Sequence, residues 1–511
     1  MFYALFAVSF LGTLLVGLKS GARRAVAIGW VGTAFLMPFW LQSSMGSLLL
    51  DLRSAAVLAV AICYILRRPS EPFQFTLADF LIAGIVLAQA VSQYQVGALR
   101  PLTVPEIFRK WVGPYVMGRM VLGSVGDLKQ AVAGFARVIA VLIPLAAAEC
   151  ALQFNIINTF LGRTFNLLEA GEGYRWGLKR AHVTFDHPIF FGMALVLLLP
   201  WALEAGRLAR TGEGPRWWRF LPWAMAVGLF STVSRGPQMA GLATYGIYLF
   251  FRIPKIRIPA IVLAVIGGGA VYGFKEELVD VLAIVAGEKT AGGESKFILI
   301  DGEEYEYTGT NHRVLLFKAY DLPAQNAGVF GYGTELLGVE LEESIAERFA
   351  SIDCHYLLFL LQHGWLGIGA FLILTVGNVI SLAFVAFRRS LPHAGLAASL
   401  IGAIISVAVL LMSVWFSPDF GGIWLFAAGL AARLRSLSTI AGDNVTALAS
   451  HPAIDSTIAT KAPVGIEHTT DRPLATGTPV RPRTLLDEIA RSTSNDPALS
   501  PSGTPVRPET P

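Results

Sequence analysis

Apolar residues along 1–435 occur in long blocks rather than on alternating faces. A helix needs about 20 apolar residues to cross a hydrocarbon layer about 30 Å thick, because it rises about 1.5 Å per residue. Helices also satisfy their own backbone hydrogen bonds, so the blocks predict membrane-spanning helices. The predicted spans number 11 to 13, with the first and fifth the weakest: 2–18, 25–42, 46–66, 76–95, 111–123, 130–150, 188–204, 220–234, 237–251, 258–274, 364–387, 395–415 and 420–434.

Composition supports an all-α transmembrane bundle of about 12 spans. Of the 511 residues, 54% are hydrophobic and only 15% are charged, against about 25% in soluble domains. A cleaved signal peptide over 1–18 is the competing interpretation, but no basic stretch precedes the apolar run. The three cysteines have no metal-ligand spacing, and no metal, cofactor or nucleic-acid partner is expected.

Short basic loops predict the orientation of the bundle, because Lys and Arg concentrate on the cytoplasmic side. Each adjacent pair of clusters is separated by an even number of predicted spans, so all of them can face the cytoplasm together. This arrangement puts the C-terminus inside and leaves the N-terminus undecided. The clusters are Arg23/Arg24, Arg67/Arg68, Arg207/Arg210/Arg216/Arg219, Arg252/Lys255/Arg257, Arg388/Arg389 and Arg433/Arg435.

The same count puts a large loop, 275–354, and a second loop, about 151–187, on the periplasmic side. The large loop holds 6 Lys/Arg and 16 Asp/Glu, a net charge of −10, whereas the whole chain carries +4. Acidic residues contribute little to orientation, so this charge is compatible with the assignment but does not decide it.

Residues 436–511 differ in character from the helical part, 1–435. They contain 10 of the 27 prolines and are rich in Ser, Thr and Ala, which predicts a disordered cytoplasmic tail. The string GTPVRP occurs at 477–482 and again at 503–508. It is either low-complexity sequence or a docking motif for a cytoplasmic partner.

Two arginines and one acidic corner are predicted on the outer face. Arg235 lies at the tip of a short hairpin, where it either binds an anion or anchors the hairpin to lipid phosphate. Arg313 is one of six basic residues in the acidic loop, and an ordinary ion pair is the alternative to a binding role. Asp353 and His355 open an apolar stretch with an expected break near Gly364; a helix N-cap and an interfacial anchor are their respective alternatives.

Together these residues suit a lipid-linked diphosphate substrate. Arginine binds phosphate through several charge-assisted hydrogen bonds, and an Asp or His accepts a proton from an attacking hydroxyl. Arginines also stabilise the charge that develops on a departing diphosphate.

The chain resembles the O-antigen ligase and O-antigen polymerase superfamily of bacterial membrane glycosyltransferases over roughly 70–435. Each matching stretch is short, and the order, spacing and predicted side of the set carry the resemblance. The stretches are His182–Pro188 with Phe190–Met193, Ser234–Gly236, Arg313 with Phe330–Gly333, and Tyr356–Leu357 through Gly364 and Gly367.

The resemblance implies a GT-C-like, metal-independent enzyme of the bacterial inner membrane. Such enzymes take a glycan from undecaprenyl diphosphate and pass it to lipid A–core or to another repeat unit. The resemblance carries the role of binding diphosphate to Arg235 and Arg313, and also to Arg119. The base candidates are Asp353 and His355.

The base position departs from the ligase pattern. Ligases place a His eleven residues before the first Gly of their Gly-x-x-Gly, and here that position holds Asp353, with His355 two residues later. The departure favours a polysaccharide polymerase, of O-antigen or exopolysaccharide type, over a ligase. A lipid-linked glycan flippase and a non-catalytic assembly protein are the other hypotheses. No clear internal repeat of the transporter kind is present.

Overall fold

The computed structural model describes residues 2–45, 48–67, 74–124, 126–165, 173–273, 297–300, 302–306, 312–337, 339, 341, 345, 349 and 351–450. The chain divides into two compact units, Met1–Leu448 and Ala449–Pro511. The described residues belong almost entirely to the first unit, which is mostly helical and agrees with the predicted class.

The described helices follow one another along the first unit. Two π-helical turns, Val26–Trp30 and Phe108–Val112, join α2 to α3 and α6 to α7. The helices are α1 (Phe2–Ser20), α2 (Ala22–Ala25), α3 (Val31–Leu36), α4 (Leu52–Arg67), α5 (Leu77–Gln95), α6 (Thr103–Ile107), α7 (Gly113–Met120), α8 (Asp127–Leu152), α9 (Ile156–Phe165), α10 (Pro188–Arg210), α11 (Leu221–Ser231), α12 (Arg235–Arg252), α13 (Arg257–Gly273), α14 (His312–Ala319), α15 (Asp321–Gln325), α16 (His355–Phe387), α17 (Ala394–Leu410) and α18 (Pro418–Ser450).

The strands of the described chain form three antiparallel hairpins. They are β1 (Gln42–Met45) with β2 (Leu48–Asp51), β3 (Tyr174–Arg175) with β4 (Leu178–Lys179), and β5 (Phe297–Ile300) with β6 (Glu303–Glu306). The β3–β4 and β5–β6 hairpins lie in loops that the sequence predicts to be outside. The β1–β2 hairpin does not, because β2 occupies the start of the predicted span 46–66, where the helix begins only at Leu52.

Within the described residues, five helices are long and apolar enough to cross a membrane. They are α1, α5, α8, α10 and α16. Ala394–Leu410 is apolar as well but only 17 residues long. The chain is thus suited to a membrane, while the prediction of about 12 spans stays a prediction.

The central helix α10 is apolar on every face and is almost entirely buried among its neighbours. A helix that is apolar all round belongs in the interior of a bundle. Its neighbours include α8, α11, α12 and α17. Because Pro188 occupies its first turn and His187 its N-cap, the start of the most buried helix is also the end of the loop His182–Pro188.

The helix α16 is broken at Gly364, as the sequence predicts. Gly364 has φ 64° and ψ −168°, values that only glycine adopts readily. A Cβ on Gly364 would lie 2.3 Å from the Val329 backbone, and one on Gly331 would lie 2.5 Å from the Leu361 carbonyl oxygen. The stretch 328–333 therefore locks against the break, with Tyr332 N donating to Leu361 O at 2.7 Å.

The C-terminal helix extends further than predicted. It runs to Ser450, whereas the sequence places the end of the helical part at residue 435, so the predicted start of the tail is corrected by this finding. The favourable apolar pattern ends near Leu437, the last residue of the helix in the main core cluster. The remainder of the predicted tail, with both GTPVRP strings, lies outside the described residues.

Candidate functional site

A buried carboxylate holds the loop His182–Pro188 in shape. Glu149, near the end of α8, accepts hydrogen bonds from the backbone N–H of Val183 at 2.8 Å and of His182 at 3.3 Å. Its other oxygen accepts from Asn155 Nδ2 at 3.1 Å. Val183 has φ 52°, an uncommon conformation for a β-branched residue. The carboxylate therefore stabilises a strained turn, and strained turns concentrate at functional sites.

The junction between α11 and α12 carries the same kind of strain. Val233 has φ 45° between the end of α11 and Arg235. The junction is tied to the loop because Ala181 N donates to Ser231 O at 2.9 Å. In addition, a Cβ on Gly192 would lie 2.4 Å from Pro237, so only a glycine allows α10 and α12 to approach this closely.

Three arginines, which we call the basic rim, gather at this junction: Arg175, Arg180 and Arg235. Arg180 donates to Ser234 Oγ at 2.9 Å, and Arg175 lies 3.5 Å from the Val233 carbonyl oxygen. The Arg235 guanidinium lies over the Trp176 ring at 5.8 Å. None of the three forms an ion pair with a carboxylate among the described residues. Burial lowers the pKa of Arg180, and neighbouring Arg175 lowers it further.

His187 lies between the basic rim and the acidic corner predicted at Asp353. Its pKa is lowered from 6.5 to about 4, first by burial and then by Arg180 and His182, while Asp353 opposes the change. The ring is therefore neutral at pH 7. Because Nδ1 accepts from Ile189 N at 3.1 Å, the proton is on Nε2. His187 thus presents a neutral N–H donor to a ligand.

Asp186 and Asp419 form an acidic pair that the sequence does not predict. The Asp419 carboxylate is fully buried and accepts from Asp186 N at 3.2 Å and Phe420 N at 2.8 Å. Desolvation raises the pKa of the Asp186 carboxyl, and the charge of Asp419 raises it further, while His182 opposes both. Asp419 lies in the first turn of α18, and nothing in the local pattern sets it apart.

The two base candidates have different surroundings. Asp353 is half-buried and accepts a hydrogen bond from Ser351 Oγ at 2.8 Å. It is not the N-cap of α16, since that position belongs to Cys354. The His355 ring is only 2% exposed, and neither ring nitrogen has a hydrogen-bond partner among the described residues. It packs against aromatic rings, including that of Phe416 at 4.8 Å.

Arg313 is close to an apolar groove, because its charge acts on Cys354, which lines the groove. It is exposed near the start of α14 and has no ion pair with a described residue. Burial raises the pKa of the Cys354 thiol. Backbone hydrogen bonds and the charge of Arg313 oppose part of this rise. Phe317, one helical turn after Arg313, lines the groove.

The apolar groove has a volume of about 520 Å³ and lies between α16 and α17. Its wall is almost wholly hydrocarbon, and many of its residues are exposed on the surface that would face lipid. The lining residues are Phe317, Cys354, Tyr356, Leu372, Thr375, Val376, Val379, Ile405, Ala408, Val409 and Met412.

Arg119 is not brought to the basic rim. It is 5% exposed and pairs with Asp79 at 3.4 Å, near the first turn of α5. At the other end of α5, Gln93 donates to Thr334 in the large outer loop. The two ends are about 21 Å apart along the helix. Arg119 thus lies at the end of α5 away from Thr334, and its role in binding diphosphate stays a prediction.

Contacts through the end of α17 connect the neighbour of Arg235 to His355. Gly236, next to Arg235, packs on Leu410, and the Leu411 carbonyl accepts from His355 N at 2.9 Å. In the described chain, no group of three or more His, Cys, Asp or Glu residues is arranged to hold a metal ion. No protein-family model matches the chain, and no curated protein matches it either.

Proposed function

We propose that the protein is a membrane glycosyltransferase that takes a glycan from undecaprenyl diphosphate at the periplasmic face of the bacterial inner membrane. Polymerisation of surface-polysaccharide repeat units is the favoured reaction. One observation carries the proposal: the three arginines of the basic rim have no carboxylate partner among the described residues. Gly236, next to Arg235, contacts Leu410, which adjoins the groove residue Val409, and the groove opens toward lipid. A lipid-linked diphosphate has the matching chemistry, an anionic head on a hydrocarbon chain.

The basic rim stabilises the leaving group in this proposal. As the bond between the sugar C1 and the phosphate oxygen breaks, the electron pair leaves with the diphosphate. Guanidinium groups fit phosphate oxygens in bidentate fashion, and a preorganised donor of this kind is worth about 10²–10³ in rate. The neutral Nε2–H of His187 adds one more donor. Arg313, close to the groove, binds the same head group.

Asp353 is the favoured base. It takes the proton from the acceptor hydroxyl while the acceptor oxygen bonds to C1, so the charges balance as the diphosphate departs. His355 is the weaker candidate because its ring is enclosed by aromatic side chains. Asp186 is a further carboxylate close enough to His187 to compete for this role.

The polymerase is favoured over an O-antigen ligase acting on lipid A–core because Asp353 stands where the ligases have a histidine. The lipid-linked flippase is the other alternative. The arginines at one end of the bundle have no carboxylate partner among the described residues. They fit a leaving-group site better than a transport path, where ionisable residues are expected near the midplane.

Gene deletion followed by complementation tests the proposal. Loss of a polymerase leaves single repeat units on the cell surface, whereas loss of a ligase leaves long glycan attached to undecaprenyl diphosphate. Complementation with Arg235→Ala or Arg313→Ala should fail, and Arg219→Ala, a change in a predicted cytoplasmic loop, should restore the polymer. Full restoration of the polymer by both Arg235→Ala and Arg313→Ala would refute the enzyme and favour an assembly role.

A further inference from the structure

A second, polar cavity lies on the same predicted side as the basic rim. It has a volume of about 550 Å³, within the range of about 300–1,000 Å³ that is common for small-molecule sites. Four separate stretches line it: 49–57, 89–114, 334–335 and 416–423, together with Trp30 and Ala34.

The polar cavity and the basic rim share a wall. Arg53 lines the cavity and donates to the Asp419 carbonyl oxygen at 2.7 Å. The carboxylate of the same Asp419 accepts from the backbone of Asp186, beside His187. A molecule in the cavity is therefore separated from the rim neighbourhood by a single stretch of chain, 416–419, in which α18 begins.

The cations in the cavity are unequally paired. Arg109 bonds to Asp51 at 3.0 Å and to Glu106 at 2.5 Å, and Arg53 is held by backbone carbonyls. Lys110 has no hydrogen bond or ion pair with a described residue; its ammonium lies 5.1 Å over the Trp111 ring. A half-buried ammonium without an anionic partner is unfavourable, and a ligand carboxylate would compensate it.

Aromatic and polar side chains complete the lining of the cavity. Trp30 contributes part of its ring, while its indole N–H is buried and not exposed to the cavity. Phe416 adds an aromatic wall, and Gln93 and Thr334 add polar groups. Aromatic faces with a few hydrogen-bonding groups suit a saccharide, which has apolar C–H faces and many hydroxyls.

We propose that the polar cavity is the subsite for the acceptor glycan and that it takes an oligosaccharide carrying a carboxylate. This assignment rests on the proposed glycan transfer at the basic rim. Lys110 pairs with the carboxylate, and Gln93 and Thr334 offer hydrogen bonds to hydroxyls. The shared wall then lets the end of the glycan reach the neighbourhood of His187.

Binding to the purified full-length protein in lipid nanodiscs tests the assignment, with trigalacturonate as the anionic probe and maltotriose as the neutral one. Calorimetry should show tighter binding of trigalacturonate. Lys110→Gln should weaken that binding about 10-fold or more, since a hydrogen bond to a charged group is worth about 1.5–3 kcal/mol. Lys110→Arg should keep most of the affinity, and Lys129→Gln, an exposed change elsewhere, should keep all of it.

A second pair of variants does not depend on a buried residue. Glu335 is an exposed carboxylate on the cavity lining, so Glu335→Gln should tighten trigalacturonate binding and Glu335→Lys should tighten it further. The assignment would be overturned if the two probes bound equally well. It would also be overturned if substitutions of Lys110 and Glu335 left the affinity for trigalacturonate unchanged.

Arg235→Ala separates this inference from the proposed function. It should abolish polymer formation in cells and leave trigalacturonate binding unchanged. If Arg235→Ala cells make normal polymer, the transferase proposal fails by itself, and the titrations still decide whether the polar cavity holds an anionic saccharide.

Discussion

Arginines at the two ends of the helical bundle differ in their partners. At the end predicted to face the cytoplasm, Arg23 pairs with Asp127 at 3.0 Å and Arg119 with Asp79 at 3.4 Å. At the other end, Arg180 and Arg235 have no carboxylate partner among the described residues. A guanidinium satisfied by its own protein holds helices together, whereas one left without an anion is available to an anionic ligand. Residue type alone does not separate the two kinds.

The first way to break this comparison is at the acidic corner beside the rim. Asp353→Asn removes the proton acceptor while preserving shape, and general-base catalysis contributes about 10²–10⁴ in rate. We expect polymer formation by isolated membranes to fall by that factor. His355→Phe should retain activity within a few-fold, because the ring already packs among aromatic side chains. Asp321→Asn, in the same outer loop, is the matched control; the opposite order for Asp353 and His355 would reassign the base.

Substitutions at the end predicted to face the cytoplasm should change the stability of the protein rather than its transfer rate. Arg119→Met leaves the Asp79 carboxylate buried without a cation, which costs about 3–5 kcal/mol. We expect a lower thermal midpoint and less folded protein in detergent. Adding Asp79→Asn should recover part of the loss, since it removes the uncompensated charge. Arg24→Met, at an exposed position, should change neither quantity; a stable but inactive Arg119→Met protein would contradict the structural role.

At the rim the expected result is reversed. Arg180→Ala should lower the transfer rate about 10²–10³-fold, because Arg180 is a donor aimed at the leaving group rather than a partner in an ion pair. Thermal stability should change little, apart from the hydrogen bond to Ser234. Arg180→Lys should restore part of the rate, since it keeps the charge and loses the bidentate fork. An Arg180→Ala protein that unfolds early and transfers at a normal rate would erase the difference between the two ends.

The sequence predicts the helical fold better than it predicts which charged residues pair with one another. Blocks of apolar residues indicate a helical membrane protein, and glycine motifs indicate the break at Gly364, because both depend on local chemistry. The roles of Glu149, Arg180 and Asp419 depend on neighbours distant in the chain, so no local pattern marks them. Arg119 matched a motif position, but its partner, Asp79, lies 40 residues earlier and ties it to the other end.

The glycine break near the rim can be tested with a close control on the same helix. Gly364→Ala forces a side chain into a positive φ and into the Val329 backbone, and a residue strained in this way costs about 1–3 kcal/mol. Gly369→Ala meets no atom within 4 Å and replaces a helical glycine, so it should be neutral or stabilise by up to about 1 kcal/mol. Thermal unfolding of the two variants should move in opposite directions, and equal shifts would show that the lock between 328–333 and Gly364 is not tight.

The smallest expected effect sharpens the comparison through pH. The pKa of His187 is lowered to about 4, so the unfolded chain takes up a proton near pH 6.5 and the folded chain only near pH 4. Stability should therefore fall as pH falls from about 6.5 to about 4. His187→Asn keeps an N-cap acceptor for Ile189 N but does not titrate. The free energy of unfolding of this variant should depend less on pH. At pH 5 the histidine should account for about 1 kcal/mol of lost stability, a modest value because the ring is partly solvated. A slope that survives in His187→Asn would mean that the histidine is not held neutral by the rim.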